Sequence, residues 1–564
     1  MSRRLEEEIE EDAWGPSHQQ MEPPFRRRHP FASCLGAGFA FVLFFFVVGV
    51  IRIALNLKSG SAISWTIGAA IVLVAGRLLL MLGVGIFTRT PRTPTRPAPL
   101  APATREPVAH IPVSPAARVR EGLLRVGDGA YLGVRESQEW ATADPESAAM
   151  ILGPPRSGKT SAVMIPALMS CSGPAVSTST KPDVMDATMH ARAEIGEVWL
   201  FDPSATEPLP DGVRRLSWSP VSAAASWDDA LVTARAMSAA SRAGAGTTNE
   251  HHWSERAAAL LAPLLYAAQL TDRPIEEVLR WTLRQDLAPA LDVLADADSE
   301  IAADVLVGIE RTDARERSSI FSATAGVLSA YNSDGARESA ANPNFNPDQF
   351  ASSTDTIYIT SPEQRQAACA PLIVGLLEQI RHAAYARART GESPASAMLW
   401  LLDEVANIAP IHDLPALVSQ AGGQSLQVVV GLQDLSQART RWGQDAADGF
   451  LSLFQAKLIL NGIADTRTLE AISLALGEYD RDMTSRSLGR SEPQEWLADP
   501  THTDTVSYQT QRQRVLTPGE IAKLPAGRGL LLQGTAWELI QLTKWHESEP
   551  WRRVANTSPH SARP

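Results

Sequence analysis

Cysteine is scarce. Cys34, Cys171 and Cys369 are the only three in 564 residues. None stands at C-x-x-C or zinc spacing, so the pattern offers neither a disulfide framework nor a thiolate metal site and suits a reducing compartment. Positive charge is also in short supply. The formal net charge is −12 and the pI about 5.5, so no global basic field draws in nucleic acid, and any such contact must be local. Internal repeats are lacking. Lysine is rarer than its usual balance with arginine, with six against 45. Where a charge merely needs solvating, this chain uses arginine, so each lysine asks for a reason. The length accommodates about three or four domains of ordinary size.

One lysine has an evident reason. Gly153-Pro154-Pro155-Arg156-Ser157-Gly158-Lys159-Thr160, followed by Ser161, fits the phosphate-binding pattern G-x-x-x-x-G-K-[ST]. Glycines at both ends let the loop curl so that successive N–H groups face phosphate oxygens. The compact ammonium of Lys159 enters such a cradle where a planar guanidinium would not. Lys159 is expected on the β and γ phosphates of ATP, and the Thr160 hydroxyl on Mg²⁺. The flanks agree: Ala148 to Leu152 is a short apolar run, and Thr160 to Ser170 reads as a helix whose N-terminus meets the phosphates.

The second half of the site is read at Met398 to Glu404, an apolar run ending in Asp403-Glu404. The C-terminal end of a buried parallel strand is where an α/β sheet places groups that touch its ligand. Asp403 is assigned to Mg²⁺ and Glu404 to orienting and polarising the attacking water. Gln433, at the end of a further apolar run, is placed beside the acids as a sensor of the γ-phosphate or the water.

Taken in order, residues 1–29 are a polar tail with an acidic run (Glu6 to Asp12) and a basic one (Arg26 to Arg28). Within 30–88 lie two hydrophobic stretches. Phe31 to Ile51 has no charge and 13 residues drawn from Leu, Ile, Val and Phe. These contribute roughly −4 to −8 kcal/mol to insertion, and as a helix they span about 31 Å. Ile63 to Phe87 contains Arg77, a penalty of about 3 kcal/mol that its apolar residues outweigh. Two transmembrane helices are expected. Arginines outside the pair outnumber the charges between, so both termini are expected in the cytoplasm, with the chain seated in the cell membrane. A Pro/Arg-rich linker covers 89–125, close to the lipid bilayer's headgroups.

From 126 to 224 strands and helices alternate as βαβαβ, the signature of a parallel sheet. Residues 225–345 turn to Ala and Leu at helical spacing, an all-α insertion. The α/β rhythm resumes over 346–545, with strands at 356–360, 397–402, 428–433 and 457–462 and a closing hairpin at 530–543. The polar stretch 481–514 reads as a loop, and 546–564 as a loose C-terminal tail. His251-His252 places adjacent imidazoles on different sides of a helix, a poor metal pair.

Together, the two spans, Gly153–Thr160, Ser179-Thr180-Lys181-Pro182-Asp183, Phe201-Asp202-Pro203, Trp218-Ser219-Pro220, Leu402–Glu404, Gln433-Asp434-Leu435-Ser436-Gln437 and Leu516-Thr517-Pro518-Gly519-Glu520 resemble the type IV coupling proteins of the TraG/TraD family. These are membrane ATPases of conjugation and type IV secretion. The resemblance implies a RecA/FtsK-like P-loop core, a homo-hexameric ring, an all-α domain for substrate docking, and DNA or a relaxase–DNA complex handed to the components of a secretion channel. An ATP-dependent docking receptor that pumps nothing, or a protein-secretion motor, are the alternatives, and Glu404 argues against a pure receptor. The chain departs from the family at Ser179, where an acid is usual. It departs again at Ala421-Gly422-Gly423, where many members carry an arginine. Replacement candidates for that arginine are Arg467, in an Asp465-Thr466-Arg467-Thr468 run, then Arg439 and Arg441. Arg467 is taken as the catalytic one.

Overall fold

The computed structural model describes residues 129–241, 250–390, 397–491 and 501–555. The tail, the two hydrophobic stretches and the linker lie outside these residues. Among the described residues no helix is long and apolar enough to cross a membrane.

The described residues are built on one mixed sheet of 12 strands. In chain order these are β1 (Tyr131–Val134), β2 (Trp140–Thr142), β3 (Ala149–Leu152), β4 (Ala175–Ser179), β5 (Val198–Phe201), β6 (Arg214–Arg215), β7 (Thr356–Thr360), β8 (Met398–Leu402), β9 (Leu426–Leu432) and β10 (Ala456–Leu460). A separate ribbon, β11 (Glu478–Ser491) and β12 (Thr501–Arg514), precedes β13 (Arg528–Gln533) and β14 (Ala536–Gln541). The spatial order is β2-β1-β14-β13-β10-β3-β9-β8-β4-β7-β5-β6. From β10 to β6 every neighbouring pair is parallel, whereas β13, β14, β1 and β2 add antiparallel strands at one side. The central strands β3, β4, β7, β8, β9 and β10 are buried at every position. Continuous apolar runs are what strands covered on both faces require. Because β3, β8, β9 and β10 are parallel neighbours in this order or next to it, their C-terminal ends line one edge. The loops that leave them share that edge.

Helices cover both faces. α1 (Ile165–Ser170) follows the π-helical turn Lys159–Met164, and α2 (Asp183–Ala193) follows β4. Between β6 and β7 the described residues are mostly helical. α3 (Trp227–Ala240) is capped by Ser226, whose Oγ accepts from Asp229 N (3.1 Å). α4 (Glu250–Leu270) is the long apolar helix around which shorter ones gather, with Leu260, Leu261, Leu264 and Leu265 fully buried. This helical segment leans on α5 (Gln366–Arg389). There Gly375 permits close approach: a Cβ would sit 2.6 Å from the Trp218 ring, whose Nε1 donates to Gln379 Oε1 (2.8 Å). After β9 come α6 (Leu435–Trp442), then α7 (Thr466–Leu476), α8 (Pro518–Ala522) and α9 (Glu549–Ala555).

Two regions differ from the sequence expectation. Within the stretch 481–514, residues 481–491 and 501–514 are no loop but the larger part of the β11–β12 ribbon, in antiparallel register from Glu478↔Arg514 to Ser491↔Thr501; residues 492–500 lie outside the described residues. Tyr479, Met483, Leu488, Val506 and Tyr508 are all exposed on it, so neither face supplies the apolar alternation that marks a half-buried strand. Nor is the whole of 546–564 loose. In α9 Trp551 is 2% exposed, stacked on Trp140 (4.9 Å) and edge-on to Tyr131 (5.0 Å). Residues 556–564 lie outside the described residues.

Candidate functional site

The loop between β3 and the Lys159–Met164 turn has the backbone a phosphate cradle needs. Gly158 stands at φ 100° and Arg156 at φ 69°, both left-handed, and Ser157 N donates to Pro154 O (3.2 Å). Gly153 has no room for a side chain, since a Cβ would lie 2.6 Å from Ser157 Oγ and 2.8 Å from Leu460 Cβ. Ser157 Oγ is buried without a partner, an unmet hydrogen-bonding group inside the loop. Lys159 is buried, and its Nζ donates to Gly153 O (2.8 Å). The loop's far side is held by the C-terminal segment, where Trp545 N donates to Ser161 O (2.9 Å).

Parallel pairing of β8 with β9, and of β9 with β3, brings the acid pair to this loop. Asp403 Oδ2 accepts from Thr160 Oγ1 (3.0 Å) and its Oδ1 from Glu404 N (3.0 Å). Thr178, at the end of β4, donates its hydroxyl to the Asp403 carbonyl (2.9 Å). Burial pushes the Asp403 carboxyl above the usual carboxylate range; Lys159 pulls it down, and Glu404 beside it pushes it up. A hydroxyl and a carboxylate oxygen in contact form a hard-oxygen donor pair that suits Mg²⁺, and the ammonium of Lys159 beside them suits the phosphate oxygens. With the unmet Ser157 hydroxyl, they fit a Mg²⁺–nucleotide.

Glu404 adopts φ 50°, a left-handed conformation that costs a non-glycine residue about 1–3 kcal/mol and that clusters at functional sites. Its Oε1 lies 3.7 Å from Lys159 Nζ and accepts from Gln433 Nε2 (3.5 Å), and its Oε2 accepts from Asn407 Nδ2 (3.4 Å). Gln433 is itself oriented, since its N–H donates to Gln437 Oε1 (2.9 Å). Lys159, Thr160, Asp403, Glu404 and Gln433 therefore converge from three strand ends.

The candidate arginines separate. Arg439 is paired with Asp465, the residue that caps α7 through Thr468 N (3.0 Å). Arg441 donates to main-chain carbonyls. Arg467 is exposed in the first turn of α7 and makes no hydrogen bond or ion pair among the described residues. It follows β10, the parallel neighbour of β3, so it stands on the same sheet edge as its own P-loop. No arginine could replace Gly422, because a Cβ there would be 1.8 Å from Glu146 O. Among the described residues no group of three or more His, Cys, Asp or Glu is placed to hold a metal, His251 and His252 included.

Sequence reasoning missed Thr178, Asn407 and Gly431. A Cβ on Gly431 would lie 2.5 Å from Asp403 Oδ1, so this glycine makes room for the carboxylate. An isolated glycine inside an apolar strand run is the available signal of such an approach.

Comparison with known proteins follows the same lines. No curated protein matches the chain. Solved structures of the bacterial conjugative coupling protein TrwB do. The unbound TrwBΔN70 form aligns at 18% identity with a TM-score of 0.55, covering 76% of this chain and 91% of that one. TrwB with the non-hydrolysable ATP analogue ADPNP aligns at 18% identity and TM-score 0.54, covering 76% and 92%. TrwB with ADP and Mg²⁺ gives the same identity and TM-score, covering 76% and 91%. At this identity the likeness establishes the fold: a mixed α/β sheet like the TrwB core. The family model described as type IV secretory system conjugative DNA transfer matches residues 111–540, most of the chain. The chain belongs to that family and is a type IV coupling protein.

Proposed function

We propose that the chain is a membrane-anchored ATPase that brings DNA, or a relaxase–DNA complex, to a type IV secretion channel and drives its transfer by ATP hydrolysis. The observation that carries the hydrolytic part is Glu404. A receptor that only bound nucleotide would need the cradle and Asp403, but not a strained carboxylate fixed between Gln433, Asn407 and Lys159.

The residues divide the work. The loop Gly153–Thr160 and Ser161 bind the phosphates; Lys159 leaves the Gly153 carbonyl to neutralise them. Thr160 and Asp403 hold Mg²⁺, which when bound offsets charge developing on the transferred phosphoryl group. Glu404 accepts a hydrogen bond from the attacking water and aligns it. Gln433 steadies Glu404 and reads the γ-phosphate position from the neighbouring strand. Arg467, free and on the same edge, supplies a guanidinium to the transition state. In the larger assembly, six copies form a ring on the cytoplasmic face, anchored by the stretches at 31–51 and 63–87 with both termini inside.

Phosphate release by the purified full chain, with and without single- or double-stranded DNA, tests this. Lys159→Ala should abolish turnover. Glu404→Gln should bind ATP and not turn it over, because an amide cannot polarise water as a carboxylate does. Near-normal hydrolysis by Glu404→Gln would refute the assignment. For the anchor, a cysteine at Ser59 should react with an impermeant thiol reagent in intact cells while cysteines near residues 20 and 110 stay unlabelled. Labelled termini would refute the orientation.

A further inference from the structure

Behind the acid pair two loops are fastened together. The chain leaving Glu404 runs through Asn407 and Pro410 to His412, and the chain leaving Gln433 enters α6, which ends at Arg441-Trp442. Trp442 Nε1 donates to Ile411 O (2.7 Å). Arg441 Nη2 donates to Ala240 O (3.0 Å), Ala239 O (3.3 Å) and Pro410 O (3.5 Å). The first two carbonyls end α3 in the helical segment, where a helix dipole favours a cation. Arg441 therefore joins the helical segment to the loop that carries Glu404.

A space lies on each side of this guanidinium. One is a cavity of about 120 Å³ that reaches Asn407, the residue that donates to Glu404. The other is a cleft of about 430 Å³ between α3, α4 and the two loops. Arg235, His251, His412, Thr440 and Arg441 line it, and Glu255 is its one carboxylate among the described residues. Glu255 sits against His251 (3.6 Å), whose ring lies 6.0 Å from that of His412. Arg235 is exposed and has no hydrogen-bond or ion-pair partner among the described residues. In a chain of net charge −12, this is a local concentration of cationic and protonatable groups with hydroxyls beside them. Such a lining suits a phosphodiester.

We propose that this cleft binds backbone phosphates of the transported nucleic acid and that Arg441 reports occupancy to Glu404. The proposal rests on the DNA-transport reading above. A phosphate oxygen is a stronger acceptor for a guanidinium than a carbonyl. Of the three carbonyls on Arg441, Pro410 O is the most distant and the first to be given up. Releasing it frees the Glu404–Pro410 loop, through Asn407, to reset the catalytic carboxylate. Cargo on the helical segment thereby changes the hydrolysis rate without touching the nucleotide.

The test uses the full chain and a fluorescently labelled 30-nucleotide single strand, read by anisotropy without ATP. The double variant Arg235→Ala/His412→Ala should bind about tenfold more weakly, and the slope of log affinity against log salt should fall by about 1. Arg441→Lys should keep most of the affinity but lose the ratio of DNA-stimulated to basal ATPase, a ratio that a merely structural defect would leave unchanged. Tripolyphosphate at equal phosphate concentration should not displace the strand. Displacement would reassign the cleft to free phosphate chains such as a second nucleotide, and overturn the nucleic-acid proposal. Unchanged affinity and salt slope in the double variant, with the wild type binding well, would overturn the cleft alone. Failure of the wild type to bind any oligonucleotide would overturn the cargo reading and the cleft with it.

Discussion

A single methyl group at position 431 provides a sharp test of the active-site geometry. Gly431 lies in β9 beside the start of the acid pair, and a Cβ built there would stand 2.5 Å from Asp403 Oδ1 and 3.3 Å from Asp403 Cα. The nearest other atom is the flexible end of Met164 (3.1 Å), which can move aside. Asp403 cannot do so freely. Its Oδ2 is bonded to Thr160, its Oδ1 to Glu404 N, and its carbonyl to Thr178. Restoring an ordinary contact therefore turns the carboxylate by roughly 0.5–1 Å, and overpacking of this kind costs about 1–3 kcal/mol. Misplacement by about 1 Å at a reacting centre costs on the order of 10²-fold, so Gly431→Ala should lower kcat by roughly 10–100-fold. The Mg²⁺ concentration needed for half-maximal rate should rise, because the displaced oxygen belongs to the assigned metal ligand. Binding of a fluorescent ATP analogue without Mg²⁺ should change little, since the cradle at Gly153–Lys159 is untouched. Phosphate release titrated with Mg²⁺ decides the matter. A variant that folds, with wild-type kcat and wild-type Mg²⁺ dependence, would show that Asp403 does not hold the metal.

Three further expectations follow from the same structure. Arg192 is 1% exposed and donates to Thr356 Oγ1, Cys171 O, Gly173 O and Thr354 O, so Arg192→Met leaves buried acceptors unpaired and should cost about 1–3 kcal/mol, visibly lowering the melting temperature; an unchanged melting temperature refutes its role as the tie between α2 and β7. Burial raises the Asp465 carboxyl, but hydrogen bonds from Thr468 and Arg439 outweigh it and hold the group below the usual range. Its contribution is therefore present above the unfolded Asp pKa and lost as pH falls through the lower folded value. Asp465→Asn should be less stable than wild type at pH 7, with the gap closing towards about pH 3; a gap independent of pH refutes it. Arg467→Ala should lose most of its ATPase rate while ATP affinity barely moves, an arginine finger being worth about 10³–10⁵. Mixing it with Glu404→Gln subunits separates roles: rescued hydrolysis means action across a subunit boundary, no rescue means action within the subunit, and an unimpaired Arg467→Ala ring refutes the assignment.

The P-loop and the acid pair were legible because their chemistry is local. The loop that begins at Gly153 and the pair Asp403-Glu404 each directly follow an apolar strand run, and a parallel sheet brings such ends together whatever the intervening chain does. The contacts that tune them were not legible. Asn407 and Thr178 reach Glu404 and Asp403 from elements whose sequences carry no mark of the encounter. The ribbon was missed for a different reason: with solvent on both faces it has no apolar period to detect. Trp551 gave a weak sign, a large aromatic in a polar tail, and its pocket is made by Trp140 and Tyr131 some four hundred positions earlier. The absence of arginine at 421–423 was visible, but what bars one from position 422 was not. Only the structure places the Glu146 backbone against Gly422.

The register of the β11–β12 ribbon constrains how the protein can change over evolutionary time. Opposed residues share a face and successive ones alternate. By that rule Glu478, Asp480, Asp482 and Asp504 fall on one face with Arg486, Arg512 and Arg514. The opposite face carries Arg481, Tyr479 and Met483 among serines, threonines and glutamines, and no carboxylate between 478 and 488 or between 504 and 514. Val515 N bonds to Gly477 O (3.1 Å), closing the base whatever the length beyond it. Losing one residue from each strand would keep the pairing but exchange the two faces of everything distal to the cut. Losing two from each would preserve them. Natural length variants that retain this sorting of charge should therefore differ in steps of about four residues, split evenly between the strands.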